Sequence, residues 1–192
     1  VALDALQHAR ERNGPRDSRH QLVHVECLSP EDIPRFHALG VVACMQPRHC
    51  APDITGKWAM NIGPDRSRYA WAFRSLNEAG ATLAFASDWN VAEMDPLVGI
   101  YTALPRRGMD GGPPEGWIPD QRIDLETALR AYTIQGAFAN FVEGSRGSIT
   151  PGKYADLIVL SHNLFEFPPD MVKDARVVLT MVGGEEVYRS AE

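Results

Sequence analysis

Four side chains stand out for the chemistry they could share: His24, Glu26, His49 and Asp88. Each lies in, or just beyond, one of three short apolar runs: Gln21 to Cys27, Val41 to Gln46 and Thr82 to Ser87. Such runs read as buried strands. In a parallel βα array, functional groups gather at the carboxyl ends of strands and in the loops that follow. The first run carries His24-Val25-Glu26, the second leads into Gln46-Pro47-Arg48-His49, and the third into Ser87-Asp88-Trp89-Asn90. One sheet edge would then gather two imidazoles and two carboxylates. Neutral imidazole and carboxylate are the donors a zinc-like divalent ion selects. A carboxylate next to water acidified by such an ion can accept its proton.

Each residue also has a plainer reading. By spacing alone His24 is a hydrogen-bonded core histidine, and Glu26, two residues on and on the same strand face, simply pairs with it. His49 reads as a surface histidine in a loop, and Asp88 as a turn residue whose side chain caps its own backbone. A separate zinc site from Cys44, His49 and Cys50 fits no common ligand spacing. Trp58, Trp71 and Trp117 read as packing residues, and Arg106-Arg107 as a solvated pair.

The elements that must position these groups follow from pattern. Val1 to Arg12 has helical apolar spacing and stops at Asn13-Gly14-Pro15. Ser29-Pro30-Glu31-Asp32 opens a second helix, with Ser29 as cap and Pro30 at the first position, and Gly40 closes it. Pro47 to Gly63 shows no clear period and reads as a long loop. Asp65 to Ala79 reads as one helix closed by Gly80. Asp95-Pro96 opens a short helix, residues 106–122 form another loop, and Asp124 caps a helix running to about Phe141. From Gly144 the pattern changes. Ala155 to Leu160 is a strand, and Arg176 to Arg189 is a hairpin turning at Gly183-Gly184. The expected organisation is therefore parallel βα units over 1–143 and antiparallel β over 144–192. Three parallel strands leave open edges and half-covered faces, so such a sheet normally belongs to something larger.

Composition narrows the field. The 192 residues are 44% hydrophobic and 23% charged, which suits a globular chain. The net charge of -6 argues against a nucleic-acid partner, which needs a positive field. No apolar run approaches the length of a membrane span. Cys27, Cys44 and Cys50 are odd in number and form no Cys-x-x-Cys pair, which suggests reduced thiols in a cytoplasmic setting. Val1 leads straight into an amphipathic segment, so no secretory leader is expected there. No phosphate-binding glycine pattern occurs, which sets a nucleotide enzyme aside.

Several stretches resemble the metal-dependent amidohydrolases, and within them the amidohydrolase-3 branch that includes N-substituted formamide deformylase. Arg19 to His24 followed by Leu28-Ser29-Pro30-Glu31-Asp32-Ile33-Pro34-Arg35-Phe36 resembles the family's sixth barrel strand and the helix after it. Met45-Gln46-Pro47-Arg48-His49 is similar to the seventh strand, and Ala86-Ser87-Asp88-Trp89-Asn90-Val91 to the eighth. Pro96 to Tyr101 and Ala128 to Thr133 resemble later helices. Gly147 to Leu157 resembles the return to the family's small β-sandwich, and Val182-Gly183-Gly184 with Val187-Tyr188 its closing hairpin.

The resemblance implies the C-terminal part of a (β/α)8 TIM-like barrel, strands six to eight with their helices, over 1–143. Residues 144–192 would form a C-terminal piece of an antiparallel β-sandwich. It further implies that His24 and Asp88 are metal ligands and that Asp88 is the catalytic carboxylate. His49, Glu26 and Gln46 would contact substrate. The cofactor would be zinc or a similar divalent metal, in an incomplete site. The substrate would be a small amide- or formamide-like molecule whose carbon-nitrogen bond is hydrolysed. Family members usually carry Gln where this chain has Glu26, and Pro where it has Asn90. The family's His-x-His pair, its fourth-strand bridging residue and its fifth-strand His have no counterpart here and would precede Val1. The partner expected is thus the missing N-terminal half of the barrel. Open sheet edges also predict self-association, and from these comes the rival reading of a non-catalytic split-barrel module. No nucleic acid and no membrane partner is expected.

Overall fold

The apolar runs pair side by side. In the computed structural model, which describes residues 1–191, β1 (Gln21–Val23), β2 (Val42–Met45) and β3 (Thr82–Phe85) form a parallel sheet in that order. Leu22 stands opposite Ala43, and Ala43 opposite Leu83. Side chains alternate faces along each strand, so Ala43, Met45, Leu83 and Phe85 share one face. That face is closed over by the main core with Phe36, Phe73 and Leu76. The other face is covered only in part: Val42 and Ala84 meet Ala139 and Phe138, while Val23 on β1 stays 53% exposed.

The helices flank this sheet. Helix α1 (Ala2–Asn13) packs on α2 (Ile33–Leu39), which ends where Gly40 takes a left-handed φ of 65°. Then come α3 (Pro52–Ile62), α4 (Pro64–Ser67), α5 (Phe73–Glu78), α6 (Pro96–Ala103), α7 (Leu125–Tyr132) and α8 (Ile134–Ala139). Two expected caps form: Asp95 accepts from the Leu97 amide at 2.9 Å and Asp124 from the Thr127 amide at 2.7 Å. Among the described residues no helix is long and apolar enough to cross a membrane.

The tail is a second sheet of β4 (Leu157–Leu160), β5 (Val177–Val182) and β6 (Glu185–Arg189), antiparallel throughout. Gly183 and Gly184 turn the hairpin with φ values of 60° and 88°, angles that suit glycine. β6 is exposed along its whole length.

Five local expectations are corrected. Pro47 to Gly63 is not a loop but a 3-10 turn, Pro47–Cys50, followed by α3. Pro52 at the first helical position and Asp53 in the first turn start it, whereas Gly56 interrupts its apolar period. The helix expected over Asp65 to Ala79 is broken, because Ala70 bridges to Cys27 and the Trp71 amide donates to the Glu26 carbonyl at 3.0 Å. The helix from Asp124 divides at Thr133, whose hydroxyl donates back to the Leu129 carbonyl at 2.7 Å, a bond that bends helices. Ser29 makes no capping hydrogen bond through its side chain. Arg106 is no solvated residue: it is fully buried, and its guanidinium donates to the carbonyls of Trp117, Trp71 and Ala70 at 3.0, 3.1 and 3.2 Å.

Candidate functional site

The carboxyl ends of the three parallel strands converge on one cavity. His24 follows β1 directly, and its amide continues the ladder by donating to the Cys44 carbonyl at 2.9 Å. His49 sits in the 3-10 turn after β2, and Asp88 lies three residues past the end of β3. One ligand atom from each of His24, His49 and Asp88 lies within 4.8 Å of the other two. Two of the three have left-handed backbones, with φ of 72° at His24 and 58° at Asp88, and Val25 follows at 47°. Such angles cost about 1–3 kcal/mol for a non-glycine residue and cluster at functional sites.

The two imidazoles are held differently. His24 Nδ1 stands 2.9 Å from Gln46 Oε1. A carbonyl oxygen only accepts, so Nδ1 carries the hydrogen and Nε2 keeps its lone pair. Gln46 was expected on substrate; it is 2% exposed and does not line the cavity. His49 Nε2 is buried without a hydrogen-bond partner, 3.7 Å from Asp88 Oδ2. Burial holds the His49 pKa below its ordinary value; the Asp88 carboxylate opposes this, and His24 adds to the lowering. That direction favours the neutral imidazole at pH 7. The two rings lie nearly parallel, 14° apart, with centroids separated by 6.0 Å.

The cavity, ≈ 610 Å³, is also lined by Glu26, Trp58 and Trp71. Trp58 Nε1 donates to Glu26 Oε2 at 2.9 Å, so the carboxylate pairs with an indole rather than with His24. Trp58, Trp71 and Trp117 pack mutually, with centroids 4.8 to 6.1 Å apart. They are packing residues as expected, yet two of them also form a wall of the cavity. Behind it, Arg48 is bidentate to Asp53 at 3.0 and 2.9 Å and reaches Glu93 at 3.0 Å. This ties the turn after β2 to the start of α3 and to the segment after Asp88. Arg48 holds both carboxyls below the usual carboxylate range.

Each sequence-derived candidate can now be located. His24, Asp88 and His49 come together, and His24 is exposed at the cavity mouth rather than set in a core. Glu26 lines the same cavity, and Gln46 lies behind His24. Cys44 and Cys50 join no ligand cluster among the described residues, and burial pushes both thiols up. Sequence reasoning missed the indole wall and the buried Gln46–His24 bond. Pro52-Asp53 was the signal that could have placed α3, and with it Trp58.

Comparison with known proteins identifies the family. The amidohydrolase-3 model of the amidohydrolase family matches residues 1–188. Protein LONG AFTER FAR-RED 3 from Arabidopsis thaliana is 39% identical over 98% of this chain, which spans 32% of that relative. N-substituted formamide deformylase from Arthrobacter pascens is 34% identical over 58% of the chain, which covers 20% of that enzyme. The crystal structure of an adenosine deaminase from Xanthomonas campestris with bound zinc superposes with a TM-score of 0.62 at 21% identity. It matches 95% of this chain and 42% of its own length. The chain therefore spans less than half the length of each of these proteins.

Proposed function

Because this chain belongs to the amidohydrolase family, we propose that it supplies the carboxyl-terminal barrel strands of a divalent-metal hydrolase. That enzyme would cleave non-peptide carbon-nitrogen bonds of amide- or formamide-like substrates. The observation that carries this reading is the approach of His24, His49 and Asp88 within 4.8 Å at the ends of successive parallel strands. On this reading residues 1–143 contribute strands six to eight of the barrel, and 144–192 contribute a C-terminal piece of the β-sandwich.

The donor set fits a zinc-like ion. The orphaned His49 Nε2 and the free His24 Nε2 are neutral imidazole donors, and Asp88 adds a carboxylate. Bound there, a divalent ion supplies Lewis acidity, polarising an amide carbonyl and acidifying water. The chain's own residues do the rest. Asp88 takes the proton of the attacking water and returns it to the departing nitrogen. Gln46 keeps His24 in the tautomer that presents Nε2. His49 completes the donor set from the β2 side. Glu26 and Trp58, backed by Trp71, receive the substrate's organic group.

The test is metal content and hydrolysis of an N-substituted formamide, measured on the chain alone and on a longer polypeptide that adds the preceding barrel strands. The reading expects His24→Ala to abolish both in the longer form. Unchanged zinc content and rate in that variant would sink it. A second reading, assembly through open edges without catalysis, draws on the half-exposed Val23 of β1. A sedimentation profile of a dilute monomer counts against it.

A further inference from the structure

The cavity has a one-sided charge. Among the residues that line it, the ionisable groups are His24, His49, Glu26 and Asp88, and no lysine or arginine is present. The nearest guanidinium in sequence, Arg48, is consumed by Asp53 and Glu93. Asp88 lies with the two imidazoles. Glu26 stands apart from them in its bonding: its Oε2 is held by Trp58, and its Oε1 makes no hydrogen bond among the described residues. Trp58 stands in the cavity wall beside that carboxylate, and Trp71, 2% exposed, packs behind it with the ring centroids 4.8 Å apart. A partly accessible indole and a fixed, half-satisfied carboxylate suit an organic cation: the ring quadrupole attracts it and the carboxylate receives its N–H.

We infer that Glu26 and Trp58, backed by Trp71, form a specificity subsite for a protonated amine carried on an aryl or alkyl arm of the substrate, and that the subsite rejects arms ending in a carboxylate. This rests on the proposed function only for the choice of amide. Attraction of a cation to the subsite does not require that the bond be cleaved. The isosteric neutral group at position 26 would keep the Trp58 hydrogen bond, since a glutamine oxygen also accepts, while losing the charge.

The experiment is calorimetric binding of three N-benzylformamides to the full chain: para-aminomethyl, para-methyl and para-carboxy. The ammonium compound should bind on the order of tenfold tighter than the carboxylate compound. Glu26→Gln should bring the two within about twofold of each other without moving the melting temperature. Trp58→Phe, which removes the indole hydrogen bond and keeps an aromatic face, should narrow the ratio less than Glu26→Gln does. Equal binding of the two charged compounds, or a ratio that survives Glu26→Gln, overturns the inference. Turnover of the same three compounds by the longer polypeptide that adds the preceding barrel strands separates the claims. A charge ratio without hydrolysis supports the subsite and removes the proposed reaction, and hydrolysis without a ratio removes the subsite alone.

Discussion

Two polar centres meet at Trp71 and behave oppositely. Around Arg106 a whole guanidinium is sealed from solvent, and its donors are matched to the carbonyls of Trp117, Trp71 and Ala70. Phe73 and Trp117 rings lie 5.3 and 5.5 Å from it. At the strand ends, His24, His49 and Asp88 meet with one buried nitrogen left unpartnered and two backbones in the left-handed region. A buried polar group that has every partner holds structure together. A cluster that lacks partners is held in place by structure for something not part of the chain. The two are joined, because the Trp71 whose carbonyl Arg106 grips is the Trp71 that walls the cavity.

That contrast can be broken from either side. Arg106→Met is expected to have the largest effect: three buried carbonyls lose their donor, which destabilises the chain by about 3 kcal/mol or more in urea unfolding. If the midpoint hardly moves, Arg106 is not the structural centre described. Asp88→Asn should do the reverse, leaving stability within about 0.5 kcal/mol while the metal content of the longer polypeptide falls on the order of a hundredfold. A large loss of stability there would make Asp88 a structural residue. Gln46→Leu should weaken zinc binding by about 10–100-fold, since the His24 tautomer is no longer imposed. Equilibrium dialysis against zinc measures it, and unchanged affinity would leave Gln46 a mere core residue.

The smallest effect lies outside both centres. Asp124→Ala should cost about 1 kcal/mol at pH 7 by removing the cap of α7. The Thr127 bond holds the Asp124 pKa below its ordinary value of 3.8. Its contribution is therefore whole above that value and is lost as pH falls through the lowered one. The difference between variant and parent should shrink below pH 4 in thermal melts, and a difference that persists into strong acid would show that the carboxylate is not the source.

The sequence made the strands legible because each is a short apolar run beside a glycine or an acidic turn. Gly40, Gly80 and the Gly183-Gly184 pair mark stops that the backbone angles bear out. The convergence of His24 and Asp88 was legible too, because parallel strands bring their carboxyl ends together whatever their side chains. What stayed hidden was decided by tertiary contacts. Nothing local says that Ala70 will bridge to Cys27 and break a helix. Arg106 and Arg107 look alike in the sequence; only the carbonyls of distant segments distinguish the buried one. Gln46 is an unremarkable polar residue until β1 places an imidazole against it.

Val25 deserves the last word on rigidity. It holds a φ of 47°, where a branched side chain is least at ease, and it packs against the core instead of leaving the place to glycine. A glycine would relax that peptide and also free it to swing. By keeping an awkward residue wedged there, the chain converts local discomfort into aim, and the imidazole just ahead of it points where it does because the backbone behind it has nowhere else to go.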